Sequence, residues 1–106
     1  MTERIRHQLK ATGRSRETYD ITKVIGDMQA GDILVLERDK VLVDKIGRKY
    51  LTILVAVGKT VYRERLRLER TDDRVYLKAC ESETQPMSNR RYARAMESAR
   101  IAGIFS

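Results

Sequence analysis

Arginine occupies every second position in the middle of Val61-Tyr62-Arg63-Glu64-Arg65-Leu66-Arg67-Leu68. Because side chains of a strand alternate between its two faces, Arg63, Arg65 and Arg67 would share one face. The other face would carry Tyr62 with two leucines, which predicts that Tyr62 is a core residue. The guanidinium groups would recur every ~6.6 Å and could follow a sugar-phosphate backbone or an acidic helix. A solvated face whose arginines pair across strands with Glu or Asp is the alternative.

A second cationic feature is the turn Gly47-Arg48-Lys49-Tyr50. It presents two cations beside an aromatic ring, and in nucleic-acid-binding barrels such rings stack on bases. Basic turns also protect hairpins from edge-to-edge aggregation, so this second interpretation stays open.

The third cationic feature lies at the start of the last predicted helix, where Arg90, Arg91 and Arg94 occur together. Cations there oppose the helix macrodipole and add no local stability, which favours a role in contacting a partner. A solvated helix face is the alternative. Together the three features predict nine residues that bind nucleic acid or another partner: Arg48, Lys49, Tyr50, Arg63, Arg65, Arg67, Arg90, Arg91 and Arg94.

No catalytic arrangement accompanies these cations. His7 is the only histidine and has no cysteine or paired carboxylate near it in sequence, and Cys80, the only cysteine, has no histidine near it to act as a base. The chain has no metalloprotease motif, no phosphate-cradling glycine loop and no metal-spaced carboxylate cluster. We therefore predict a protein that is not an enzyme and holds no cofactor or metal. A lone cysteine also excludes an intramolecular disulfide and indicates a reducing compartment.

The net charge is positive, but basic and acidic residues are interspersed along the chain. The 106 residues include 22 Lys and Arg against 15 Asp and Glu, for a net charge of +7. Basic domains are attracted to nucleic acid, acidic membranes or acidic proteins. The N-terminus lacks the apolar region of a secretory signal, and the apolar run 53–57 is too short to span a bilayer. We expect a cytoplasmic protein with no membrane partner.

The elements that must position these residues follow from apolar periodicity. Residues 1–19 are predicted to be a basic N-terminal arm, either disordered or a short helix, and residues 20–106 a single domain. Ile21, Val24, Ile25 and Met28 have helical spacing and predict a short helix over 20–29, with Asp20 as its N-cap. Five strands with tight turns then follow, over 33–36, 41–46, 50–57, 60–69 and 75–79. Strand 50–57 is apolar on both faces.

Ser88 or Asn89 can cap a final helix over 88–102 that stops at Gly103. Its small-residue face would pack against the sheet or against a second subunit, as in a homodimer. The predicted fold is therefore mainly β (α+β), a small five-stranded antiparallel SH3-like barrel or curled sheet with a short N-terminal helix and a C-terminal helix.

Residues 31–79 resemble small β-barrel proteins encoded in bacteriophage genomes, through Gly31-Asp32-Ile33, Ile46-Gly47-Arg48-Lys49-Tyr50-Leu51-Thr52-Ile53 and Leu66-Arg67-Leu68. They are also similar to SH3-like or KOW-type barrels of nucleic-acid-binding proteins. The resemblance implies a barrel fold in the host cytoplasm, and the KOW type implies contact with RNA, the ribosome or the transcription machinery. It transfers no site residue.

Two functions from different classes follow. The first is a non-enzymatic phage accessory protein that binds DNA or RNA through its basic strand and turn, largely through phosphate contacts. The alternative is a small inhibitor that binds an acidic surface of a host defence or transcription protein. A structural part of a virion is a third hypothesis.

Overall fold

The computed structural model describes residues 6–9, 18–36, 39–79 and 87–104. These residues form seven strands and one helix. The strands are β1 (Arg6–Leu9), β2 (Thr18–Asp20), β3 (Ile33–Leu36), β4 (Asp39–Ile46), β5 (Tyr50–Val57), β6 (Thr60–Arg70) and β7 (Val75–Ala79), and the helix is α1 (Asn89–Ala102).

All seven strands belong to one sheet in the order β1-β3-β4-β5-β6-β7-β2. Strands β3 to β7 form an antiparallel meander, in agreement with the five predicted strands. The two N-terminal strands extend it: β2 pairs antiparallel with β7, and β1 pairs parallel with β3. The described parts of the segment 1–19 therefore contribute to both edges of the sheet.

The sheet is curled, and its inner face holds the larger core. Leu9 on β1 and Ile21, directly after β2, lie at opposite edges of the sheet and yet belong to one buried cluster with Leu77. Central strands add further apolar side chains to this cluster, among them Val43, Leu51 and Leu68. Two edges that share one core require a strongly bent sheet, and the molecule is accordingly a half-barrel.

The outer face carries a second apolar cluster, over which α1 packs. Leu42, Leu54 and Val61 lie against Ala95, Ala99 and Ala102 of the helix. Strands β4 and β5 are thus apolar on both faces, as expected for strands covered on both sides. The alanines allow the helix to approach the sheet closely, and we find it packed on the sheet of its own chain.

The C-terminal helix prediction is confirmed. The Ser88 side chain accepts a hydrogen bond from the Arg91 backbone N–H at 3.4 Å, as an N-cap does. Gly103 follows the last turn with φ of 70°, the left-handed conformation that glycine adopts without a Cβ penalty. Its N–H reaches the carbonyl oxygens of Ala99 and Arg100.

The N-terminal helix prediction is wrong. The residues from Thr22 to Asp27 form successive turns. The Asp20 carboxylate accepts the Thr22 N–H at 3.0 Å, and the Ile21 N–H donates to the Val75 carbonyl of β7 at 2.9 Å. The sheet thereby anchors the segment where the helix was expected to begin. Its four periodic apolar side chains still face the inner core.

Seven strands replace the predicted five, because β1 and β2 are too short to produce a detectable alternation. No helix within the described ranges is long and apolar enough to cross a membrane. The Cys80 position and the connection over 80–86 lie outside the described residues.

Candidate functional site

The outer face of the sheet has an apolar half under α1 and a polar half that the helix leaves open. In antiparallel pairs, directly opposite residues lie on the same face. Arg63 lies opposite Leu54, Arg65 opposite Thr52, and Arg67 opposite Tyr50. The three arginines therefore project from the outer face, as their alternation predicts, while Leu66 and Leu68 are buried in the inner core.

The exposure of Tyr62 differs from the expectation that it is a core residue. It alternates with the arginines and shares the inner side with Leu66, but its side chain is 39% exposed. It lies near the end of β6 that adjoins the β5–β6 turn, where the inner core gives way to solvent. The alternation assigns a face correctly, and it does not show how far the core extends along the strand.

Tyr50 and Arg65 form a stacked pair on the open half of the face. The Arg65 guanidinium carbon lies 4.6 Å from the centroid of the Tyr50 ring, within the range of a cation–π contact. Tyr50 is also 39% exposed. The pair therefore presents a partly exposed aromatic ring and a guanidinium at one place on the sheet.

Two lysines that the sequence analysis did not single out join this surface. Lys45 lies opposite Thr52, and Lys78 lies opposite Arg67, so both are on the outer face. Strict alternation after Val41 and Val43 would direct Lys45 inward. A register shift between Val43 and Lys45 turns its side chain outward. We call Lys45, Arg63, Arg65, Arg67 and Lys78, together with Tyr50, the basic outer face.

Acidic partners on this surface are few. Lys78 pairs with Glu69 at 2.6 Å, and hydrogen bonding from Lys78 holds the pKa of the Glu69 carboxyl below its usual value. The residues opposite Arg63, Arg65 and Arg67 on β5 are all uncharged, and Arg67 faces a second cation on β7. Among the described residues, no carboxylate lies within 4.0 Å of the Arg67 guanidinium. The register thus places uncharged residues of β5 opposite the three arginines, and the described ion pairs of this face are Lys78–Glu69 and Arg63–Asp44.

The β4–β5 turn extends the basic outer face at one end. The Lys49 carbonyl accepts the Leu68 N–H at 2.7 Å, so the turn lies beside the last part of β6, next to Arg67. Arg48 and Lys49 are both exposed. A Cβ at Gly47 would lie 3.0 Å from the Tyr50 carbonyl oxygen, so a side chain there would push against the turn. Glycine keeps the hairpin tight.

At the other end, the basic outer face meets a cleft between the sheet and α1. Its volume is about 580 Å³, and its charged lining consists of Asp44, Lys45, Arg63, Arg91 and Arg94. We call this the arginine cleft. Leu42, Leu54, Met87 and Ala95 supply its apolar lining.

Arg63 is the residue that links the two surfaces. Its Nε lies 3.6 Å from the nearer Asp44 carboxylate oxygen, close enough for an ion pair but too far for a hydrogen bond. That nitrogen is shielded from solvent and has no hydrogen-bond acceptor. Asp44 is itself 41% exposed, so it only partly compensates the Arg63 charge.

The helix brings only two of its three N-terminal arginines to the cleft. Arg91, Arg94, Ala95 and Ser98 have the i, i+3, i+4, i+7 spacing of one helical face, and all four line the cleft. Arg91 and Arg94 thus flank the alanine face of α1. Arg90 projects elsewhere and is outside the cleft.

Comparison with known proteins finds no match. No family model, curated protein or solved structure matches the chain.

A buried His7–Asp32 pair is a further arrangement whose side chains could take part in chemistry. The His7 ring nitrogen Nε2 lies 2.9 Å from the Asp32 carboxylate, and both side chains are 6% exposed. Asp32 also accepts the Gln29 N–H at 2.9 Å. No group of three or more His, Cys, Asp or Glu side chains in the described ranges could hold a metal ion. The pair joins β1 to the start of β3 and lies away from the basic outer face.

Proposed function

We propose that this protein binds nucleic acid through the basic outer face and performs no catalysis itself. The observation that supports the proposal is the register of β5, β6 and β7. It places Arg63, Arg65 and Arg67 in one row on the outer face, with Arg65 and Arg67 on the half that α1 leaves uncovered and Arg63 at the border with the arginine cleft. A row of forked donors matches a chain of phosphates better than it matches a single small anion.

The distribution of acidic side chains supports the same proposal. Asp20 pairs with Arg74 at 2.9 Å, Glu69 pairs with Lys78, and Asp32 pairs with His7. These carboxylates are engaged by partners, while the arginine row has uncharged residues opposite it on β5. The basic outer face has five cations, two of which pair with Glu69 and Asp44, so its positive charge suits a polyanion.

Tyr50 gives the surface a second mode of contact. A partly exposed ring beside a row of cations lets bases stack while phosphates bind the arginines, as on single-strand-binding surfaces. Phosphate contacts would dominate, so the binding would depend weakly on sequence and strongly on salt.

The proposed setting is that of a small accessory protein acting in the cytoplasm. We retain the resemblance of residues 31–79 to phage-encoded SH3-like barrels as part of the proposal, which makes the host cytoplasm the compartment. The half-barrel with an open, cationic outer face is compatible with that setting.

The proposal is tested by fluorescence anisotropy with 20-nucleotide single- and double-stranded DNA and RNA in 50 mM and 500 mM NaCl. We expect binding in low salt that weakens by more than tenfold in high salt. The double variant Arg65→Gln/Arg67→Gln should lose most of it. The control Lys23→Gln/Lys59→Gln removes the same charge from two exposed turn positions and should retain it.

Equal affinity in both salts, or no binding in either, would refute the proposal. Equal loss in both double variants would show that net charge, and not the basic outer face, attracts the ligand. A pull-down from nuclease-treated host lysate adds a separate outcome. A stoichiometric protein partner that survives nuclease, with no oligonucleotide binding, would favour an inhibitor of a host protein instead.

A further inference from the structure

The arginine cleft carries more positive charge than its own carboxylate can compensate. Lys45, Arg63, Arg91 and Arg94 line it, and Asp44 is the one acidic residue of its lining. Asp44 is placed against Arg63 at 3.6 Å. Within the described part of the chain, no carboxylate lies within ion-pairing distance of Arg91 or Arg94.

Two features of the arginine cleft show that its charges are poorly compensated in the free protein. The first turn of α1 contains no acidic residue, although carboxylates there would complement the helix macrodipole. The solvent-shielded Nε of Arg63 has no hydrogen-bond acceptor. The shielded Nε cannot itself contact a ligand, but the Arg63 side chain is 20% exposed, and an anion bound between its guanidinium and the helix would offset the unbalanced positive charge.

We propose that the arginine cleft binds a nucleoside phosphomonoester, the chemical group that a free nucleotide shares with the 5′ end of a phosphorylated strand. This proposal rests on the proposed function, because the cleft adjoins the basic outer face through Arg63. A phosphomonoester carries a charge of about −1.5 to −2 at neutral pH and three acceptor oxygens. Its charge suits the excess of cations better than the single charge of an internal phosphodiester.

The geometry of the cationic lining fits such a group. Arg91 and Arg94 are three residues apart on one helical face, with Cβ atoms about 5–6 Å apart. Arg63 approaches from the sheet, on the opposite wall. Three guanidinium forks from two walls can therefore donate to different oxygens of one phosphate.

The apolar lining accounts for the nucleoside. Leu42 and Leu54 form part of the sheet wall, and Met87 and Ala95 come from the helix side. A volume of about 580 Å³ is within the usual range of small-molecule sites and larger than a phosphate alone needs. Leu42, Leu54 and Ala95 are already buried, so a sugar and base would contact mainly the half-buried Met87 while the phosphate meets the arginines.

The experiment compares matched ligands at one salt concentration. A fluorescent ten-nucleotide single strand is prepared with and without a 5′-phosphate, and its affinity is measured by anisotropy in 50 mM NaCl at pH 7.5. AMP, adenosine and inorganic phosphate are then used as competitors. We expect the 5′-phosphorylated strand to bind at least tenfold more tightly, AMP to compete, and adenosine to have no effect. Inorganic phosphate should compete at least tenfold less well than AMP.

Two variants localise the effect. Arg91→Gln/Arg94→Gln should abolish the advantage of the 5′-phosphorylated strand, while Arg90→Gln, in the same helical turn but outside the cleft, should preserve it. The ratio between the two strands is the readout, so a general loss of positive charge does not affect the conclusion. The wild-type comparisons need no variant and stand even if the double variant fails to fold.

The outcomes separate this proposal from the proposed function. Salt-dependent strand binding without a 5′-phosphate preference and without AMP competition overturns the cleft proposal alone. AMP binding measured directly by isothermal titration calorimetry, in the absence of strand binding, overturns the proposed function and supports the cleft as a site for free nucleotides. Competition by AMP with equal affinities for both strands likewise identifies the free nucleotide as the source. Equal competition by phosphate and AMP refutes the nucleoside part, and loss of the preference in Arg90→Gln refutes the assignment to the cleft.

Discussion

The ring Nε2 of His7 on β1 donates a hydrogen bond across 2.9 Å to the carboxylate of Asp32, which directly precedes β3. The two side chains are buried at the inner face, where His7 lies opposite Leu34 in the parallel register. Asp32 also receives the Gln29 N–H. This contact adds a buried side-chain link between β1 and the loop before β3 to the backbone pairing of β1 with β3.

The first prediction concerns this pair. His7→Ala leaves the buried Asp32 carboxylate with one partner fewer, so we expect a loss of about 1–3 kcal/mol in the free energy of unfolding. Urea denaturation at pH 7 measures it. Arg6→Ala, an exposed change on the same strand, should cost less than about 0.5 kcal/mol. Equal costs would show that the His7–Asp32 contact does not stabilise β1.

The sequence predicts the meander well because its strands are long and alternate. Strand β6 alternates over eleven residues, and turns with Gly47 and Gly58 bound β5. Strand β1, Arg6–Leu9, has four residues and no clear period, and its pairing with β3 depends on a contact 25 residues away. Such an element cannot be found from local periodicity.

The wrongly predicted helix shows a related limit. Ile21 and Met28 are buried in the inner core, and Val24 and Ile25 pack against it, so the apolar stripe does mark one buried side. A succession of turns can bury the same four side chains. The hydrogen bond from the Ile21 N–H to the Val75 carbonyl favours the turns, and only the folded sheet supplies that partner. The local hydrogen bond from the Thr22 N–H to the Asp20 carboxylate adds to it.

The residues of the candidate site also divide into those whose position the sequence predicts and those whose position it does not. The arginine row on β6 follows from alternation alone. The approach of Arg91 and Arg94 to Arg63 depends on how α1 docks, and the outward position of Lys45 depends on a register shift in β4. Neither has a signature in the sequence.

The second prediction concerns acid sensitivity. Hydrogen bonds from the Thr22 hydroxyl and backbone N–H, and then the nearby Arg74, lower the pKa of Asp20 below its usual value of 3.8. A carboxyl whose pKa is lower in the folded state stabilises the fold above its unfolded pKa, and that contribution is lost as the pH falls through the folded value. The loss should therefore occur below about pH 4.

Urea midpoints at pH 6 and pH 2.5 test this. The wild type should lose more stability between the two values than Asp20→Asn or Thr22→Val, which remove the carboxylate or its main donor. Lys23→Ala, an exposed neighbouring change, should behave as the wild type does. If Asp20→Asn loses as much stability on acidification as the wild type, Asp20 is not the source of the effect.

The third prediction concerns the end of α1. Gly103 has φ of 70°, and a Cβ there would meet no atom within 4 Å, so the cost of Gly103→Ala is conformational. We expect a loss of about 1–2 kcal/mol in thermal or urea unfolding. Gly26→Ala also places a Cβ in open space, but Gly26 does not have a positive φ. It should be neutral or stabilising by up to about 1 kcal/mol. Similar losses in both would contradict the conformational explanation.

The last prediction distinguishes stacking from charge on the basic outer face. Tyr50 and Tyr62 are equally exposed at 39%, but Tyr50 lies on the outer face beneath the Arg65 guanidinium and Tyr62 lies on the inner side of β6. Base–aromatic stacking contributes about 1–3 kcal/mol, so Tyr50→Ala should weaken single-strand binding by roughly 5- to 150-fold. Tyr50→Phe keeps the ring and should bind nearly as well.

Tyr62→Ala is the matched control and should leave the affinity within about twofold of the wild type, because a ring on the inner side cannot reach a strand that lies along the arginines. Anisotropy with single- and double-stranded probes of equal length measures all three variants. Duplex binding should be affected less by Tyr50→Ala, since paired bases are not available for stacking. If Tyr62→Ala weakens binding as much as Tyr50→Ala, the strand does not follow the basic outer face. If neither variant changes single-strand affinity, the contact is with phosphates alone.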